Sequence, residues 1–474
     1  MSDGSEANAG AKGDEQRVAH DSLGDVEVPA GVRWGAQTQR AVQNFPISGC
    51  RMPQELIRAV ALVKAAAAEV NGRLGRLDVV LAGEIRDAAL EIAAGECADQ
   101  FPIDVYQTGS GTSTNMNVNE VIASLVSERV GSPVHPNDDV NASQSSNDVI
   151  PTAIRLAVIA AVAEQLLPAL DLVVEQLEGL AARHARDVGP GRTHLMDAAP
   201  LFVGDQFGAH AATFRADRRR IEASLDELRT PPLGGTAVGT GLGAPAGWRE
   251  AVVAQLSEVS GIRLSVPDDA FAAQRGLEPF AVVSAALRTL AASLLNLADE
   301  LRQLSSGPVS GLGQIELPAL QPGSSIMPGK VNPVIPEAVM QVALRVIGND
   351  TVVATAAGRG SFELNVHLPV VGDALLESVH LAANVGRLLA ERCLAGVRVD
   401  VDHARDMAAR SPVNVTAVAT RLGYDRAAEI VKEANRTGAD FVDLVVEAGL
   451  ERAEAEELLD PSRIAMGERL SREQ

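Results

Sequence analysis

The chain has 474 residues, a formal net charge of -21, 46% apolar residues and only 3% aromatic residues. So acidic a balance excludes nucleic acid and anionic membranes as partners, because both demand clustered Lys and Arg. The length implies roughly three domains. A core drawn mainly from Ala, Leu and Val favours helices packed closely on helices.

In chain order, the opening "MSDGSEANAGAKGDEQ" is polar and lacks an apolar stretch. We expect a disordered tail over residues 1–18, not a signal peptide. Residues 19–144 read as a mixed, mainly helical domain. Within it, Leu56, Val60, Val63, Ala67 and Val70 keep a helical beat over 53–72, and a second helix is expected over 83–95.

Residues 145–397 change character. Long helices are expected over 151–187, with a kink at Pro168, and over 206–229, 336–358 and 371–396. Between them Val283, Leu287, Leu290, Leu294, Leu297, Leu301 and Leu304 form a heptad-like seam. Together these imply an elongated five-helix bundle. Residues 398–474 read as a small helical C-terminal domain. No run approaches the roughly 18 apolar residues that a membrane span requires. Cys50, Cys97 and Cys393 lie far apart without CxxC spacing, so buried, reduced thiols in a cytoplasmic protein are expected.

Four polar segments interrupt the helical pattern. In "QTGSGTSTNMNVNE" (107–120), Ser110, Thr112, Ser113, Thr114 and Asn115 follow Gly109 and Gly111 just before a helix. Hydroxyls, amides and a helix N-terminus suit a carboxylate, although a helix cap with spare hydroxyls would read alike. "VHPNDDVNASQSSNDVIP" (134–151) places Ser145, Ser146 and Asn147 before a second helix, with His135, Pro136, Asn137 and Asp138 in a turn upstream. "GRTHLMD" (191–197) sets His194 beside Thr193 in a glycine-opened turn. No second His, Cys or Glu stands at ligand spacing, which argues against a metal. "GSSIMPGKVNPVIPE" (323–337) combines Ser324, Ser325, Lys330, Val331 and Asn332 between hinge glycines, with Glu337 in the next helical turn. Its glycine spacing and Val331 exclude a phosphate loop. "LGGTAVGTGLGAPAG" (233–247) lacks a preceding strand, so it reads as a connector where elements approach closely and not as a dinucleotide fingerprint.

Taken together, "QTGSGT", "QSSND", "GRTHL", "LGGTAVGTG", "GSSIMPGKVNP" and "SFELNV" resemble the class II fumarases of the fumarase/aspartase superfamily over nearly the whole chain. The resemblance implies a mainly α, three-domain fold and a homotetramer. Its long central helices would form a twenty-helix core, with each site gathering segments from three subunits.

The implied reaction is reversible hydration of fumarate to (S)-malate through an aci-carboxylate, with no metal and no organic cofactor. Ser324 is implied as the base at C3. Lys330 and Asn332 hold and stabilise a substrate carboxylate. His194, coupled to Glu337, assists departure of the C2 hydroxyl. Ser110, Gly111, Thr112, Ser145, Ser146, Asn147, Thr193, Ser325 and Val331 line the dicarboxylate site. His135, Pro136, Asn137 and Asp138 match a second anion site. An aspartate ammonia-lyase, or another fumarate-releasing lyase, is the nearest alternative reading; a catalytically silent tetrameric scaffold is another. Departures from the family pattern include Asp299–Glu300, "FVGDQF", Gly243, Ala419 and the missing basic residue ahead of His135.

Overall fold

The computed structural model of the protein describes residues 15–469. Most of the tail expected over 1–18 therefore lies outside the described residues. Its end does not, and there the expectation is corrected: Gln16–Asp21 is a strand paired antiparallel with Gly24–Pro29. Gly24 turns this hairpin at φ 107°, a left-handed conformation that glycine adopts without penalty.

Helices dominate, as composition implied. The β structure among the described residues is three two-stranded antiparallel sheets. Gln54–Arg73 is the helix expected from the Leu56–Val70 beat, with Glu55 and Arg73 complementing its dipole at opposite ends. A Cβ on Gly72 would lie 2.8 Å from the Ala82 methyl. Small residues thus let this helix close on Val79–Ala93. That neighbour starts before the expected Gly83 because the Asp78 carboxylate caps it, accepting from the amides of Val80 and Leu81.

The five long helices are present. Ser146–Arg183 carries a π-helical turn, Val162–Leu166, just before Pro168. The wider turn makes room for a ring that would clash with the carbonyl four residues back. Val203–Ser224, Glu278–Leu304, Val334–Ala357 and Leu368–Leu388 complete the set. Along Glu278–Leu304, Val283, Leu287, Leu290, Leu294, Leu297 and Leu301 are all buried, each contributing about 2 kcal/mol by leaving water.

Contacts gather the chain into two compact units. One comprises residues 15–164 with Ile221–Leu287 and Val346–His380; the other comprises Gln165–Arg220, Arg288–Arg345 and residues 381–469. In the second unit, Val415, Val418, Ala427, Ile430, Val445, Ala455 and Leu459 close a small core of their own.

Two further expectations change. Ser146–Arg183 and Glu278–Leu304 are long and apolar enough to cross a membrane by length and composition, and 56% and 44% of their apolar windows are buried within the fold. Single charges such as Arg155 break the apolar run without lowering the average much. Of the cysteines only Cys393 is buried, its thiol pushed up to about 12 by desolvation; Cys97 is partly covered and Cys50 exposed. Cys50 lies outside the packed helices, on the loop ahead of Gln54.

Candidate active site

In the first unit the segments 107–120 and 134–151 meet. Gly111, at φ 73°, starts the helix Thr112–Val130, and Ser145 caps Ser146–Ala161 in a capping box with Asp148. The first turns of the two helices touch, Asn115 Nδ2 donating to Ser146 Oγ at 3.2 Å. Two helix N-termini side by side present partial positive charge and backbone donors, which favours an anion. Ser110 and Thr112 pair their hydroxyls at 2.8 Å.

Backbone approach sets these turns tightly. Leu368 N donates to Gly109 O at 3.1 Å, and a Cβ on Gly109 would fall 2.0 Å from the Val366 carbonyl oxygen. The connector 233–247 also closes on this region, as its glycines implied. Asn147 Nδ2 donates to Ala237 O at 2.9 Å, while the buried Asp148 carboxylate accepts from the amides of Ser145, Gly234 and Thr236. Burial pushes that carboxylate up to about 6, against the pull of these amides.

The His135–Asp138 turn is close by in sequence but differently organised. His135 Nδ1 accepts from the amides of Asn137 and Asp138, and the Asp139 carboxylate accepts from His135 N.

In the second unit, Thr193 and His194 occupy the tip of the hairpin Val188–Thr193/Met196–Phe202, both exposed. Thr193 pairs with Met196, so His194 and Leu195 form the two-residue turn, at φ 56° and φ 61°. Such turns favour Asn-Gly; a histidine followed by leucine is strained by on the order of 1 kcal/mol per residue. Strain retained at an exposed tip points to a role for the side chain it holds.

The loop 323–332 is closed on itself. Gly323 N donates to Lys330 O at 2.8 Å, and Asn332 Nδ2 donates to Gly323 O at 3.0 Å. Inside it, Ser324 Oγ accepts from two backbone amides, Ile326 N at 3.2 Å and Met327 N at 3.1 Å. Two donors on one hydroxyl oxygen favour its deprotonated form. Ser325, Lys330 and Val331 are exposed and Asn332 is half-buried. Lys330, Val331 and Asn332 line a cavity of about 690 Å³ with Ser305, Glu316 and Arg398. Glu337 lies in the first turn of Val334–Ala357. No hydrogen bond among the described residues joins it to His194.

Sequence reasoning missed the polar interior behind the first pair of segments: Lys64, Asn119, Asn141, Gln144 and Asp148. One signal was legible. Lys64 stands four residues after Val60, on the apolar stripe of an otherwise uncharged "ALVKAAAA". Among the described residues no group of three or more His, Cys, Asp or Glu is placed to hold a metal ion.

Comparison with known proteins agrees with this architecture. A lyase family model matches residues 24–348, and a model of the fumarase C C-terminus matches residues 415–465. The chain is 47% identical over 454 residues to a class II fumarate hydratase of Pseudomonas aeruginosa, covering 96% of this chain and 99% of that protein. It is 48% identical over 460 residues to the class II fumarate hydratase of Mycobacterium tuberculosis, covering 96% and 97%. Among solved structures, the class II fumarase of Schistosoma mansoni superposes with a TM-score of 0.93 at 33% identity, over 96% of this chain and 100% of that one. A fumarate lyase of Brucella melitensis gives 0.92 at 42% identity, over 95% and 100%. Matched at close to half identity along nearly its whole length, the chain belongs to the class II fumarase family.

Proposed function

We propose that the protein is a hydro-lyase that interconverts fumarate and (S)-malate, with Ser324 as the base. The observation that carries the assignment of the base is the pair of amides held on Ser324 Oγ in the loop that also bears Lys330. A proton beside a carboxylate is barely acidic, and a serine hydroxyl is an ineffective base unless its alkoxide is stabilised. In the dehydration direction Ser324 takes the C3 proton and the electron pair moves into the adjacent carboxylate. Lys330 and Asn332 stabilise the aci-carboxylate, each such donor contributing roughly 10²–10³ in rate. The C2–oxygen bond then breaks, and His194, supported by Glu337, supplies the proton with which hydroxide leaves as water. Hydration runs the same steps in reverse.

Ser110, Gly111, Thr112, Ser145, Ser146, Asn147, Thr193, Ser325 and Val331 hold the two carboxylates. The working form is a homotetramer in which several copies supply these segments. Exposure of Thr193, His194, Ser325 and Lys330 in the single chain supports this, because the chemistry requires a site shielded from water. His135–Asp138 stays outside the proposed machinery. As a second anion site it would stand apart, with His135 Nδ1 accepting from two amides and Nε2 left to donate, and with Asp138 and Asp139 opposing an anion by their charge.

Purified protein given (S)-malate should develop the ultraviolet absorbance of fumarate, and L-aspartate should release neither fumarate nor ammonia. Ammonia from aspartate with malate untouched would replace this reading by an ammonia-lyase. The loop provides a second check. A Cβ on Gly323 would lie 2.5 Å from Lys330 O. Gly323→Ala should therefore lower kcat/KM about tenfold or more by displacing Ser324 and Lys330. The melting temperature should barely change, because the loop is largely exposed.

A further inference from the structure

Lys64 lies at the middle of Gln54–Arg73 with no exposed surface. Burying an ammonium costs several kcal/mol unless it is well bonded, and a methionine would fill the same volume without that cost. Lys64 Nζ donates to Asn141 Oδ1 at 2.8 Å and to Gln144 Oε1 at 3.0 Å. Asn141 Oδ1 is a hub, accepting also from Asn115 Nδ2 at 3.2 Å and Asn119 Nδ2 at 3.3 Å. Asn141 Nδ2 in turn donates to Gln144 O at 3.2 Å. The ammonium is therefore tied through Asn141 to Asn115, the residue that holds Ser146 Oγ, and directly to Gln144, the residue preceding the helix cap Ser145.

Its environment is otherwise neutral. Asp148 is the one charged group opposing desolvation of Lys64, whose ammonium is pushed down to about 7 by burial. The Asp148 carboxylate is itself occupied by the amides of Ser145, Gly234 and Thr236. Either form of the amine donates to Asn141 and Gln144, and the protonated form adds a positive charge that favours an incoming carboxylate in a chain of net charge -21.

We infer that Lys64 is a positioning residue for substrate binding: it fixes the 141–147 turn in register with the start of Thr112–Val130, so that the donors of both helix starts meet the carboxylate held there. The inference rests on the fumarase reading above and adds to it a residue that never touches substrate. Loss of Lys64 weakens binding more than turnover, because Ser324, Lys330 and His194 keep their own loops.

The test is steady-state kinetics of fumarate hydration, with calorimetric titration of succinate as a dicarboxylate that cannot react. Lys64→Met should raise both the KM for fumarate and the Kd for succinate about tenfold, with kcat within about threefold of wild type. Gln144→Met, at a half-buried position that removes one of the two Lys64 bonds, should raise both about threefold. KM and Kd within about twofold of wild type in folded variants, or a fall confined to kcat, would overturn the inference. Should Lys64→Met fail to fold, Gln144→Met decides by the same two constants. Wild-type protein that neither hydrates fumarate nor binds succinate sinks the functional reading and this inference with it. Unaffected variants beside an active wild type sink this inference alone.

Discussion

Ser324→Ala is expected to lower kcat for malate dehydration by roughly 10³-fold or more, with folding unimpaired. The alanine leaves the amides of Ile326 and Met327 without the oxygen they now contact. In a largely exposed loop those amides turn to water at little cost. Lys330→Met should fall by a comparable factor for a different reason: the C3 proton still has an acceptor, but the charge it leaves on the carboxylate loses its cation. Combining the two should cost much less than the product of the single losses, since both act on one step. Kinetics of the two single variants and the double variant, with melting curves for each, check this. Near-wild-type turnover in Ser324→Ala would move the base to another residue.

His194→Asn should separate activity from stability. Asparagine accepts the left-handed backbone of the turn at φ 56° more readily than histidine does. The variant should therefore be as stable as wild type or more stable, by up to about 1 kcal/mol. Turnover should nevertheless drop roughly 10²–10⁴-fold, the range expected on losing a general acid–base group. A Gly at Leu195, the other strained position, should yield the same stabilisation while leaving the imidazole in place. Should His194→Asn keep its activity, the strain at the hairpin tip serves something other than proton transfer.

Much of the helical scaffold was legible because its signals are local. The Leu56–Val70 beat and the Val283–Leu304 seam repeat at helical spacing, and every helix they implied is present. The four polar segments were legible for the opposite reason: clustered hydroxyls, amides and glycines break an apolar pattern. Boundaries moved where a single capping group outweighed periodicity, as Asp78 did for Val79–Ala93. The Pro168 irregularity sits upstream because the ring's clash falls on the preceding turn.

Lys64 shows where sequence reading stops. Alone, it is one cation among 41 Lys and Arg residues, and a helical lysine is ordinarily solvated at its tip. Only folding brings Asn141 and Gln144, 77 and 80 positions away, within hydrogen-bond reach of it. The same holds for Asp148, whose carboxylate gathers amides from Gly234 and Thr236, 86 and 88 residues along the chain. The strain at His194 and the twin amides on Ser324 likewise belong to backbone geometry, which residue identity does not specify. Sequence by itself determined the helices and the chemical character of the four segments, since periodicity and composition act over a few residues. Tertiary structure decided which polar groups face one another in the dry interior, because desolvation and hydrogen-bond geometry depend on contacts between distant parts of the chain.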